Sequence, residues 1–180
     1  MGVWVRLFLA LAAAATTAGC FQPLYSQQTV TGSSPAVASA LENVDVLQIA
    51  APTGTEDARI AVEVRNQLLF ALQGGGGGGS PTHTLKITLS TSRATTSVDL
   101  QTGRSSTDIY TLFAAYQLID LRTDKTVLRG TAAAPVSYDT PGEQQRFARQ
   151  RALRDAENRA AGLIAENLKG RLASFFIAGS

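Results

Sequence analysis

Seven apolar residues recur at every fourth position in the C-terminal part of the chain: Ala148, Ala152, Ala156, Ala160, Ile164, Leu168 and Leu172. Such a row is one face of an α-helix, because side chains at i and i+4 stack above one another. Leu163, Phe175 and Phe176 support it, so the pattern predicts one long helix over Gly142–Phe176. At 1.5 Å per residue that helix is about 50 Å long. The alanines let its backbone approach a sheet closely.

The rest of the chain supplies one. Leu85, Ile87 and Leu89 alternate with Lys86, Thr88 and Ser90, a half-buried strand that continues toward Val98. Gln101–Arg104 makes a turn. Ile109–Leu121 is the longest apolar strand, with Tyr110, Leu112, Ala114, Tyr116 and Leu118 on one face. Its other face carries Ile109, Phe113 and Ile119, which suits a central strand or one whose second face meets a partner. Arg122–Lys125 is a polar hairpin turn. Thr126–Tyr138 follows as a strand, with Leu128, Ala132, Ala134 and Val136 on one face. Pro135 places that strand at an edge or ends it irregularly.

Upstream, Val44–Ala50 is a short β-type run that stops at Pro52. Thr55 is an N-cap, with Glu56 and Asp57 in the first turn where carboxylates suit the helix dipole. Ile60, Val64, Leu68 and Leu72 then define a helix over Glu56–Leu72. The order β-α-β-β-β-α in one domain predicts an α+β fold. Two helices on one face of a four-stranded sheet make a two-layer sandwich. The six glycines Gly74–Gly79, with Ser80 and Pro81, read as a flexible Gly-rich loop over 74–81. A phosphate loop needs a Lys after its last glycine, and none follows.

The N-terminus is an address. Leu7–Ala15 is an apolar run of nine residues, with Arg6 before it and small residues after it. That is too short to span a bilayer, which takes about 20 apolar residues, and it has the form of an export signal. Thr17-Ala18-Gly19-Cys20 resembles a bacterial lipobox, with Thr17 where Leu is usual. The resemblance implies a signal peptide over 1–19, removed before Cys20. It also implies diacylglycerol on the Cys20 thiol and an acyl chain on its new amine, two chains being enough for firm anchoring. Phe21 stands where an Asp would retain the protein in the inner membrane, so the outer membrane is favoured. Residues 20–41 lack periodicity after the cysteine and read as a lipidated tether, leaving 42–180 as a single domain.

Sixteen Lys and Arg residues stand against 14 Asp and Glu, a net charge of +2. That balance argues against a nucleic-acid partner. The long helix has seven cations against four acids, which reads as a solvated face with i,i+4 pairs. One Cys and one His exclude a disulfide framework and any metal site built on two imidazoles. No catalytic motif is present, and His83 and the pair Asp99/Asp108 read as strand-end and turn residues. The chain is expected to be no enzyme and, its lipid aside, to need no cofactor.

Several segments together resemble the LptE family of lipopolysaccharide-assembly lipoproteins, in its alphaproteobacterial form. They are Phe21-Gln22-Pro23-Leu24-Tyr25 after the cysteine, Arg65-Asn66-Gln67-Leu68, and Ala115-Tyr116-Gln117-Leu118-Ile119-Asp120. Gly130, Val136-Ser137-Tyr138-Asp139, Phe147-Ala148, Asp155–Ala161 and Arg171–Phe176 follow in the family's order. The family commonly has a Gly after the Cys, which is missing here. The resemblance implies a lipid-anchored protein on the periplasmic side of the outer membrane. Its partners would be the β-barrel LptD, which it helps to fold, and lipopolysaccharide, which it helps to deliver to the outer leaflet. Arg93, Arg104, Arg122, Lys125 and Arg129 are the candidate cations for lipid phosphates or acidic barrel loops. An accessory lipoprotein of another lipid-transport or secretion complex is the alternative.

Overall fold

The computed structural model describes residues 37–74, 78–99, 104–140 and 145–178, with side chains at 97–99 and 104–106 outside the description. The signal peptide, Cys20 and the tether to residue 36 lie outside the described residues. So do Gly75–Gly77, Leu100–Gly103 and Pro141–Gln144. The elements are α1 (Val37–Glu42), β1 (Val44–Val46), α2 (Glu56–Gln73), β2 (His83–Asp99), β3 (Arg104–Asp120), β4 (Lys125–Asp139) and α3 (Arg146–Ala178). This is the α+β arrangement expected, with α1 added.

Alternation builds the sheet, whose order is β1-β2-β3-β4. β1 lies parallel to β2, while β2–β3 and β3–β4 are antiparallel. Leu85 faces Leu118 and Leu118 faces Leu128, and Ile87, Tyr116 and Gly130 align in the next row. These rows share the face that the helices cover. Tyr110, Leu112, Ala114, Tyr116 and Leu118 are all buried there, as their phase predicts. Gly130 has a steric reason. A Cβ at that position would lie 2.7 Å from Tyr116 Oη, so the missing side chain leaves room for the ring. Pro135 sits in β4, which among the described residues pairs only with β3 and so can spare one N–H.

Helix α2 begins at Thr55, whose Oγ1 accepts the Ala58 N–H at 3.2 Å. It ends at Gly74, whose left-handed φ of 63° lets its N–H reach the Phe70 carbonyl. The first glycine of the run is therefore a helix cap. Helix α3 lays Ala156, Ala160, Ile164, Leu168 and Leu172 on the sheet and on α2.

Several expectations differ: Ala148, first of the apolar row, is exposed, and Asp108, read as a turn residue, lies in β3. The stretch assigned to the tether holds α1, because Leu41 is buried against α2 and α3. β1 ends at Val46, since the chain leaves the sheet after Leu47. β3 starts at Arg104, inside the expected turn, because the β2–β3 ladder extends to Asp99 opposite Arg104. Leu163 is exposed, being rotated off the face that Ile164 and Leu168 share.

Candidate binding face of the sheet

Both helices cover one face of the sheet, and the opposite face has no layer of described residues upon it. Its side chains come from the other phase of each strand. Ser90, Phe113 and Ala133 form one cross-strand row, and Thr88, Ala115 and Thr131 the next. Lys86, Gln117 and Arg129 form the third. Strands lie about 4.8 Å apart, so Lys86 and Arg129 stand about 10 Å apart across Gln117. Both cations are exposed, and among the described residues neither is paired with an acid. Around this row lies a depression of about 370 Å³, lined by Lys86, Thr88, Ala115, Gln117, Arg129 and Thr131 among others.

Phe113 gives the face its apolar centre, at 42% exposed on a central strand, with Ala115, Ala133 and Pro135 around it. Among the described residues of this phase, the one carboxylate is Asp139, at the far end of β4. The face can therefore take an amphiphile with an anionic end, apolar atoms over Phe113 and charge at the Lys86–Arg129 row.

The five cations singled out from the sequence separate. Arg129 lies on this face. Lys125 starts β4 opposite Asp120, and Arg122 stands in the turn between them with Nη2 3.8 Å from Asp120 Oδ2. Arg104 starts β3 at the opposite end of the sheet. Arg93 is on the helix-covered face, joined to Glu56 and 3.8 Å from Glu157 Oε1. It belongs to an ion cluster in which Arg59 also binds Glu157. Lys86 was missed as a site residue. Its polar phase on β2 was readable, but its alignment with Arg129 was not.

Asp120 anchors the β3–β4 turn. The N–H groups of Arg122 and Thr123 donate to its Oδ1 at 2.7 and 3.3 Å, and these bonds hold its carboxyl below the usual value. His83 packs edge-on against Phe176, with ring centroids 5.3 Å apart. Burial lowers its pKa, and nearby Asp120 opposes the shift. The two residues are cross-strand neighbours, and His83 Nδ1 lies 2.9 Å from Thr82 Oγ1. Among the described residues, no group of three or more His, Cys, Asp or Glu could hold a metal.

The family model "LptE: Lipopolysaccharide-assembly" matches residues 41–172, most of the chain and all four strands. The chain belongs to the LptE family. Membership gives it a role in lipopolysaccharide assembly, in a family of transport accessories and not of enzymes. Solved structures share the fold of this LptE-family chain. A lipoprotein from Caulobacter crescentus CB15 is 24% identical, with a TM-score of 0.60, over 80% of this chain and 97% of that one. A minor lipoprotein from Acinetobacter baumannii is 14% identical, with a TM-score of 0.54, over 74% and 92%. Rare lipoprotein B from Shewanella oneidensis is 14% identical, with a TM-score of 0.53, over 75% and 96%. Among curated protein sequences, none matches this LptE-family chain. Among the described residues, no helix is long and apolar enough to cross a membrane.

Proposed function

We propose that this chain is an outer-membrane lipoprotein held on the periplasmic side by acyl chains on Cys20. It works with the barrel LptD, assisting the barrel's assembly and the insertion of lipopolysaccharide into the outer leaflet. The observation that carries this reading is the uncovered sheet face, with Phe113 at its centre and the Lys86–Gln117–Arg129 row beside it. Phe113 and its small neighbours offer an apolar surface to acyl chains or barrel wall, and the two cations suit phosphate. Arg122 and Lys125 extend positive charge around the same end of the sheet, and Arg104 is a further candidate at the other end. Arg93 is spent on Glu56 and Glu157 and takes no part.

The test is purification of the full lipoprotein from detergent-solubilised outer membranes, followed by depletion in cells. LptD should co-purify and lose stability on depletion, with less lipopolysaccharide at the cell surface. Depletion that left both unchanged would sink the proposal. Mass spectrometry of the mature N-terminus should find a triacylated Cys20, and an unmodified thiol there would remove the anchor.

A further inference from the structure

Strand β1 pairs with β2 over three residues only, from Val44 opposite His83 to Val46 opposite Leu85. Leu47 then donates its N–H to the Leu85 carbonyl at 3.1 Å, and the chain departs. β2 itself runs on to Asp99. Successive residues of a strand turn their backbone polar groups to opposite sides. His83 and Leu85 turn theirs toward β1, while Thr82 accepts from Leu121 on the β3 side. By that alternation Ile87, Leu89, Thr91 and Arg93 all turn N–H and C=O to the outer edge. Among the described residues, nothing bonds to them there.

Beside this edge is a wedge of about 390 Å³ between β2, the departing chain at Ile49–Pro52 and the start of α2. Ile49, Ile60, Ala61 and Leu89 make its apolar lining, and Asp57 adds a carboxylate with no ion-pair partner among the described residues. A row of unpaired amides and carbonyls at strand spacing is complementary to another extended main chain. Beside it, an apolar slot and an acid specify side chains.

We infer that the β2 edge from Ile87 to Arg93 accepts an extended segment of the partner protein as an added strand, prolonging the line of β1. The wedge takes an apolar side chain of that segment, and Asp57 pairs with a Lys or Arg two residues away on the same face. The inference rests on the reading of this chain as accessory to a membrane protein, whichever protein that is.

Residue-resolved amide hydrogen exchange tests it, on the full lipoprotein in detergent and on the complex recovered from outer membranes. In the lone chain, amides 87, 89, 91 and 93 should exchange about 100-fold faster than 86, 88, 90 and 92. In the complex they should slow by a similar factor. Slow exchange in the lone dilute chain would mean that its own N-terminal segment fills the edge. Slowing with concentration, without a partner, would mean a second copy. Fast exchange in the complex would mean an empty edge, and each of the three overturns the inference. Thr91→Pro removes one outward N–H without touching a β2–β3 bond, and should lower complex recovery about tenfold at unchanged melting temperature, whereas Thr91→Val should not. If Thr91→Pro does not fold, the exchange pattern decides. LptD recovered with fast amides overturns strand addition alone. Slow amides with another partner overturn the barrel assignment alone, and a chain recovered with no protein overturns both.

Discussion

The carboxylate of Glu157 on α3 is bound by the guanidinium of Arg59 on α2, 98 residues earlier in the chain. The Glu157 side chain is 1% exposed and that of Arg59 39%, so the pair closes the seam between the helices with its cation half in water. Among the described residues Glu157 Oε1 has no hydrogen-bond partner, although Arg93 Nη2 approaches to 3.8 Å. A buried carboxylate left with less compensation is costly.

Arg59→Ala should therefore destabilise the fold by about 2–4 kcal/mol, somewhat below a fully buried pair because Arg59 is partly solvated. Removing both charges, as Arg59→Met with Glu157→Leu, should recover most of that loss. Denaturant midpoints of the two variants check this. A double variant as unstable as Arg59→Ala would show that the charge is not the cause.

Tyr110 tests a different burial. Its ring is buried, its hydroxyl has no hydrogen-bond partner among the described residues, and burial followed by the Glu56 charge pushes its pKa up to about 12. The protonated phenol is thus favoured in the folded state. That contribution is complete below pH 10, the unfolded value, and is lost as pH rises through about 12. Tyr110→Phe should flatten the fall in stability over this window. At pH 7 it should be neutral or slightly stabilising, since it deletes an unsatisfied polar group. Denaturant titrations from pH 7 to 12 give both readings, and a large loss at pH 7 contradicts the assignment.

At Gly130 the prediction is steric. An added Cβ would meet Tyr116 Oη at 2.7 Å and Cζ at 2.9 Å, so Gly130→Ala should cost about 1–3 kcal/mol. Combining it with Tyr116→Leu, which removes the ring, should cancel that particular clash in a double-mutant cycle. Thermal melting of the four proteins measures the coupling, and additive losses would show that the ring is not the obstacle.

Lys86 and Arg129 should matter to function and not to folding. Lys86→Glu with Arg129→Glu should change stability by no more than about 0.5 kcal/mol per site, as exposed positions do. In cells the same variant should weaken the outer-membrane barrier, read as greater uptake of large hydrophobic antibiotics. An intact barrier with normal protein levels would remove the row from the binding face. Phe113→Ala should act in the same direction through lost apolar contact.

The elements were legible because their signals are local. Ile60, Val64, Leu68 and Leu72 mark α2 at successive turns and Thr55 caps its start, whereas Gly74, expected in the flexible loop, caps its end. The buried phase of β3 follows from alternation alone. Short α1 has too few residues to show a period, and its stability comes from Leu41 entering the core. The β-type residues after Val46 suggest a longer β1, but a strand persists only while its neighbour accepts its hydrogen bonds, and the chain turns away. The candidate cations were legible as charges, not as a set.

By itself the sequence determined the order of the elements other than α1 and the face of each strand turned to the core. These depend on residues two to four positions apart, or on a contiguous stretch of chain. Tertiary structure alone decided which side chains meet. It aligned Lys86 with Arg129, buried Glu157 against Arg59, set Arg93 on the helix-covered face and left the edge of β2 beyond Leu85 without a strand partner among the described residues. Strand register and helix docking come from burying apolar area across the whole chain, and no short pattern encodes partners about 100 residues apart.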